Sequence, residues 1–470
     1  MLHDRDVEFD AAVDILVIGA GGCGLCAALS AHSAAQGGDI AVLEKNDRLQ
    51  GNTALSSGSI PAAGTRFQAQ AGLADSAEAF VEDLQRIAGV HQMPGLTRRL
   101  AEVSAELVEW LVDVAGVNLT LVETYKHIGH RQYRLHSPPS RRGADLLDDL
   151  ADAVARRNIP IVFGNGATDL VVDERGCVCG VQARTRDGAC TTLAARAVIL
   201  ATNGFGNNRE LLREFCPEVA AAPYGGATGS EGEAVLWGRE LGADLANMGA
   251  YQAHASLADP HGSLVTWTVV EKGGFIVDAS GRRFGDESQG YSSFAALELE
   301  RAGPFHVIAD ARIRDLTAQG QSEYAELVAN KGVLEFDTIQ ALGDRCGIEP
   351  VQLAHTLVQA VAAAAGEEAD PWGRSQWGGG PLRPPYTATR ISAALFHTQG
   401  GLRVDPEGRV LRKDGSIIPG LYAGGGAAAG ISGARGSQGY MSGNGLLSAL
   451  GLGYLAGRCA AGQLSREACS

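Results

Sequence analysis

The sequence predicts an α/β fold, and three observations carry that expectation. A β-branched run, Val13–Ile18, enters a turn built on Gly19, Gly21, Gly22 and Gly24 and continues into an alanine-rich stretch of helical character. A second apolar run, Ile40–Leu43, ends on an acid, Glu44, about twenty residues further on. Strand-like segments followed by glycines recur at Ala197–Gly206 and Gly420–Gly426. Strand, glycine turn, helix, strand and acid in this order suit a dinucleotide. Gly19 permits the tight turn, Gly21 lets backbone N–H groups approach a pyrophosphate at the helix N-terminus, and Gly24 lets helix and strand pack closely. The Glu44 carboxylate can accept from ribose hydroxyls and disfavours a phosphate there.

Composition narrows the class. With 470 residues and 45% hydrophobic content, the chain has material for two domains. A formal net charge of -15 argues against nucleic acid, whose phosphates require a positive surface. No uncharged apolar stretch of about 18 residues is present, and Met1 to Asp14 is too acidic for a leader, so a cytoplasmic protein without a membrane span is expected. The nine cysteines lack the spacing of a disulfide framework. Cys23 and Cys26 form a CxxC inside the glycine turn and its helix, where packing outweighs zinc or redox chemistry as a reading. Ala360–Ala365 and the segment Ala144–Arg156 read as helix.

Three segments choose between dinucleotides: the small residues of Gly51–Gly58, the strand and turn Ala197–Gly206, and Gly420–Gly426 with the glycine-rich loop before a final helix near Gly445. In this order, and over essentially the whole chain, they resemble the fumarate reductase and succinate dehydrogenase flavoprotein family. The resemblance implies FAD, held by a Rossmann-like domain in two sequence pieces, 1–243 and 397–470, with an α+β capping domain, 244–396, inserted between them and the substrate at their junction. It implies cofactor contacts at Gly19, Gly21, Gly22, Gly24, Glu44, Lys45, Asn52, Thr53, Ser57, Gly58, Ala167, Asn203, Gly204, Gly425, Leu446 and Leu447. Members with covalent flavin carry histidine where Asn52 stands, and others carry glutamate where Gly426 stands, so non-covalent FAD is expected.

The same likeness places His254 and His397 on substrate-binding histidines. Two departures follow. Tyr291 stands where fumarate reductases have a proton-donating arginine, and Tyr440 where they clamp a carboxylate with another. A dicarboxylate would lose its bidentate partner and the alkene its acid. A tyrosine pair instead resembles the flavin-dependent ketone desaturases of the superfamily, the 3-ketosteroid and 4-oxocyclohexanecarboxylate dehydrogenases. Desaturation beside a carbonyl needs a base for the α-proton, donors for the enolate oxygen, and flavin N5 for the hydride. Tyr291 is the candidate base, Tyr440 and the backbone N–H of Asn444 the candidate oxyanion hole, and Ser442 a candidate proton relay. Plainer readings stand beside these. Either tyrosine can be a packing residue, Glu287, Ser288 and Tyr291 can cap a helix, and buried histidines are usually satisfied core groups. Arg134 and Tyr133 lie in a segment that faces flavin in the family, and Arg435 competes for the missing carboxylate clamp.

The expectation is therefore an FAD enzyme that desaturates a cyclic ketone, foremost a small oxo-acid such as 4-oxocyclohexanecarboxylate, with a ketosteroid second, using an external electron acceptor such as oxygen or a quinone. An ene-reductase of an unsaturated acid and a non-catalytic flavoprotein are the alternatives. The sequence specifies no oligomeric state.

Overall fold

The computed structural model describes residues 1–35, 38–124 and 126–468, with the backbone alone for 465–468. Two compact units emerge: unit one is Met1–Pro217, Gly226–Tyr251 and His397–Ser470, and unit two is Glu218–Gly225 with Gln252–Phe396. Residues 244–251 belong to unit one because Leu245–Ala246 pairs antiparallel with Gly401–Leu402 there.

Unit one is the α/β fold. Strand Ala11–Ile18 lies parallel between Ile40–Glu44 and Cys190–Leu200, and Ile161–Phe163 extends the sheet beyond Ile40–Glu44. The far half of Cys190–Leu200 pairs parallel with Ile417–Ala423, so the late sequence piece completes the sheet begun by the early one. Ile15, Leu16 and Val17 are fully buried, as expected of a central parallel strand covered on both faces. The helix Gly22–Ala34 is buried from Cys23 to Ala31, which explains its lack of a polar stripe. It packs against the final helix, Asn444–Ala468. A Cβ on Gly453 or Gly457 would come within 2.4 and 2.3 Å of the Cys23 and Ala27 carbonyl oxygens, so glycine lets the two backbones approach. Cys26 Sγ donates to the Leu450 carbonyl across this contact. The helix expected at Ala144–Arg156 runs Gly143–Arg156.

Unit two is an antiparallel sheet with helices. Phe275–Val277 pairs with Phe305–Asp310, which pairs with Tyr386–Thr398, and Gly249–Ala258 follows in the order. Helices Tyr291–Leu299, Ala311–Gly320, Ser322–Ala329, Ile339–Cys346 and Pro350–Ala365 accompany it. Among the described residues no helix is long and apolar enough to cross a membrane.

Candidate active site

The dinucleotide cradle starts at the turn after Ala11–Ile18. Gly19 has φ +105°, and a Cβ there would sit 2.5 Å from the Ala201 carbonyl oxygen, so another residue is excluded on both counts. Gly21 caps helix Gly22–Ala34 without any side-chain hydrogen bond, and the space beside its Cα is open to 4 Å. The N–H groups of Gly22, Cys23 and Gly24 donate to no described residue, and the positive end of the helix dipole lies behind them, which fits a pyrophosphate.

Glu44 is buried and already accepts from Ala20 N at 2.8 Å and from Asn46 N and Nδ2 at 2.9 and 2.7 Å, leaving about one acceptor position of a carboxylate's four for a ribose. Lys45 Nζ is held by Glu231 and Glu233, at 3.0 and 2.6 Å. Asn52 is engaged at both ends of its amide: Oδ1 accepts from Ala227 N at 2.7 Å, and Nδ2 donates to Asn203 Oδ1 at 3.3 Å. Asn203, at φ +67°, donates on to Ser230 Oγ. A Cβ on Gly426 would lie 2.5 Å from Gly204 N, so the close approach of residues 203–204 leaves no room for the glutamate of other family members. Thr53 lies against Gly22, Ser57 Oγ bonds Ser59 Oγ at 2.9 Å, and Ala167 pairs with Ala183 in the sheet. Among the described residues, the buried oxygens Thr202 Oγ1, Asn444 Oδ1 and Ser448 Oγ have no hydrogen-bond partner. An open helix N-terminus and unmet hydrogen-bonding oxygens in one unit fit FAD.

A second feature of unit one is the loop Gly439–Gly443, with φ +87° and +88° at its two glycines. Tyr440 meets His397 edge-on, with ring centroids 5.6 Å apart. Both converge on Gly445: a Cβ there would be 3.3 Å from the Tyr440 hydroxyl and 3.2 Å from His397 Nε2. Burial pushes His397 down to about 4, so its imidazole is neutral at pH 7. The expected amide partner of Tyr440 needs correction. Asn444 N donates to the Met441 carbonyl at 3.1 Å, closing a turn, whereas the next amide, Gly445 N–H, donates to no described residue. Leu446 and Leu447 N–H both donate to the Gly443 carbonyl at 3.0 Å, which commits them to the first helical turn. Gly445 was not singled out in the sequence because which amide stays open depends on how the preceding turn closes.

Unit two holds His254 and Tyr291. Their rings stack with centroids 4.5 Å apart and planes 14° apart, and Trp267 stands edge-on to both. His254 Nδ1 accepts from Ser256 N at 3.2 Å, which puts the proton of the neutral ring on Nε2. Burial pushes His254 down to about 3. Tyr291 opens helix Tyr291–Leu299 with no side-chain cap before it. The capping alternative fails for Glu287, which is buried and ion-paired with Arg283 at 2.6 Å, and Asp286 instead caps the short turn Glu287–Gln289.

Arg134 is corrected. Its guanidinium is 1% exposed, donating Nε and Nη2 to Asp75 at 2.6 and 2.8 Å and Nη1 to Asp83 at 2.6 Å, with Phe80 beneath it. Carboxylates of the protein occupy the fork that a substrate would need. Tyr133 turns its carbonyl to Gln68 and its ring to Lys126. Arg435 is exposed, on a short strand beside Gly249. The Ser442 carbonyl accepts from His130 Nε2 at 2.8 Å.

The chain is similar to known proteins over most of its length. A probable fumarate reductase of Shewanella frigidimarina is 27% identical over 95% of the chain and 74% of its own length. NADH:acrylate oxidoreductase of Vibrio harveyi is 28% identical over 95% of the chain, which spans only 50% of that relative. Among solved structures, the open conformation of a flavocytochrome c3 fumarate reductase superposes with a TM-score of 0.81 at 26% identity, covering 97% of this chain and 79% of that one. The 3-ketosteroid Δ4-(5α)-dehydrogenase of Rhodococcus jostii superposes with a TM-score of 0.76 at 24% identity, covering 98% and 99%, a likeness of fold alone. The family described as an FAD binding domain matches residues 14–442, and with that match the chain belongs to this family of FAD-dependent oxidoreductases.

Proposed function

We propose that the protein desaturates a cyclic ketone next to its carbonyl. The observation that supports this reading most is that the Tyr440 hydroxyl and a neutral His397 lie 3.3 and 3.2 Å from the space a Cβ on Gly445 would fill, at a residue whose N–H donates to no described residue. All three groups are uncharged hydrogen-bonding groups, suited to a ketone oxygen that becomes an enolate rather than to a carboxylate, which calls for a guanidinium. Tyr440 and Gly445 hold that oxygen. Tyr291, stacked on His254, first loses its phenol proton to solvent and then takes the α-proton as phenolate, and the neutral His254 offers an Nε2–H to the substrate. Bound FAD would supply the acceptor for the hydride of the β-carbon, and the ketone would leave as the enone. Asn52, with both ends of its amide engaged, suits non-covalent FAD. A small oxo-acid such as 4-oxocyclohexanecarboxylate is the first substrate, with exposed Arg435 as its carboxylate partner. A ketosteroid is the second, and an external acceptor such as oxygen or a quinone reoxidises the enzyme.

A second reading, reduction of an unsaturated acid, draws on the fumarate- and acrylate-named relatives. Anaerobic addition of 4-oxocyclohexanecarboxylate, cyclohexanone, a 3-ketosteroid or succinate to the yellow protein separates them. Bleaching by a cyclic ketone supports desaturation. Failure with every ketone, together with reoxidation of pre-reduced protein by fumarate or acrylate, overturns it.

A further inference from the structure

The loop that carries Tyr440 is jointed at both ends by glycines with positive φ, Gly439 and Gly443, so its own backbone does little to fix where the hydroxyl points. It is held from behind by a different part of unit one. Met441 is fully buried against Gly129, where a Cβ would come within 2.5 Å of its Cγ, and Gly439 lies against Ala88, 3.1 Å from a Cβ to that residue's Cα. Among the described residues, the one direct polar grip on the Ser442 carbonyl is the 2.8 Å bond from His130 Nε2.

His130 is itself immobilised. Its ring is 7% exposed and lies 6.0 Å from Phe80. Donation to a carbonyl requires Nε2–H, and Nδ1 has no partner among the described residues, so the imidazole has one neutral tautomer in this place. Its flanks are tied to helix Ala77–Ala88: Arg86 donates to the Gly129 carbonyl at 2.8 Å, Arg131 donates N and Nε to Asp83 at 3.0 and 2.8 Å, and Arg134 joins the same carboxylate. The ion pairs of Asp83 thus reach the Tyr440 loop through one histidine.

We infer that His130 is a positioning residue for the oxygen-binding site: by holding the Ser442 carbonyl it sets the loop Gly439–Gly443 so that the Tyr440 hydroxyl meets the open Gly445 N–H. This rests on the ketone-desaturase reading for what the loop does, and on the geometry alone for the hold itself.

The test compares holoenzyme of H130F, which keeps a ring and removes the donor, with H130Q, whose amide nitrogen stands near the position of Nε2. Hydrogen exchange of residues 439–445 is measured alongside kcat and KM for whichever ketone bleaches the wild-type flavin. H130F is expected to retain FAD, to exchange faster at 439–445, and to lose about ten- to a hundredfold in kcat with KM within about threefold; H130Q is expected to recover both readouts. Should H130F not accumulate as holoenzyme, H130N, whose amide is one bond too short, takes its place. Wild-type exchange and kcat in the donor-less variant, or an H130Q no better than it at equal flavin content, overturns the inference. A wild type that bleaches with no ketone defeats the functional reading, and the exchange comparison still decides the hold.

Discussion

His254 lies flat on Tyr291, 4.5 Å between ring centroids and 14° between planes, with its proton placed on Nε2 by the Ser256 amide. The stack fixes the phenol in one orientation without lending it a charge, since burial keeps the imidazole neutral. The orientation of the proposed base is thus set by packing inside unit two, and the consequences can be measured.

Tyr291→Phe preserves the stack and the fold. Turnover of the ketone should fall by about 10²- to 10⁴-fold, the usual contribution of a general base, while FAD content and melting temperature stay at wild-type values. Stopped-flow flavin reduction reads the loss directly, and reduction at the wild-type rate would remove Tyr291 from the chemistry.

Tyr440→Phe should cost about 10²- to 10³-fold in kcat, as when one oxyanion donor is deleted. Gly445→Ala places a methyl 3.2 to 3.3 Å from His397 Nε2 and the Tyr440 hydroxyl, in the space assigned to the carbonyl oxygen. That variant should fold, hold FAD and bind ketone at least about tenfold more weakly, measured as the KM shift.

Acid should destabilise the protein before its carboxylates titrate. Burial pushes His254 down to about 3 and His397 to about 4. The unfolded chain takes up protons at these rings below about pH 6.5, while the folded chain does not until those lower values. Stability is therefore fully present above pH 6.5 and falls as the pH drops, by up to about 1.4 kcal/mol per unit for each such ring. Urea midpoints from pH 7 to 5 should show the slope, and His254→Gln should lower it by the share of one ring, since His397 and other buried histidines remain; an unchanged slope would refute the assignment.

Arg134→Met should act on stability and leave substrate affinity alone. Removing the guanidinium leaves the Asp75 carboxylate without its ion-pair partner and takes one of three arginines from the fully buried Asp83, at a cost of about 3 to 5 kcal/mol. A raised KM at normal stability would return Arg134 to the substrate.

The dinucleotide turn was legible in the sequence because its demands are local. Gly19, Gly21 and Gly24 act within one strand–helix junction, and Glu44 closes the next strand, so spacing alone specified them. The late glycines were legible as glycines, yet the reason for Gly426 lies in Gly204, more than two hundred positions earlier, whose amide occupies the room a side chain would need. Tyr440 was visible, but its amide partner was displaced from Asn444 to Gly445, because a turn bond to Met441 consumes the first N–H and the order of helix-terminal amides is settled only when the turn closes. Arg134 misled for the same kind of reason. Its charge is written in the sequence, whereas what meets that charge is Asp75 and Asp83, brought to it by a separate helix and loop. By itself the sequence determined the residues that could bind or react; tertiary structure decided which of their donors stay open, since hydrogen bonds and ion pairs are filled by whatever partner the folded chain brings nearest.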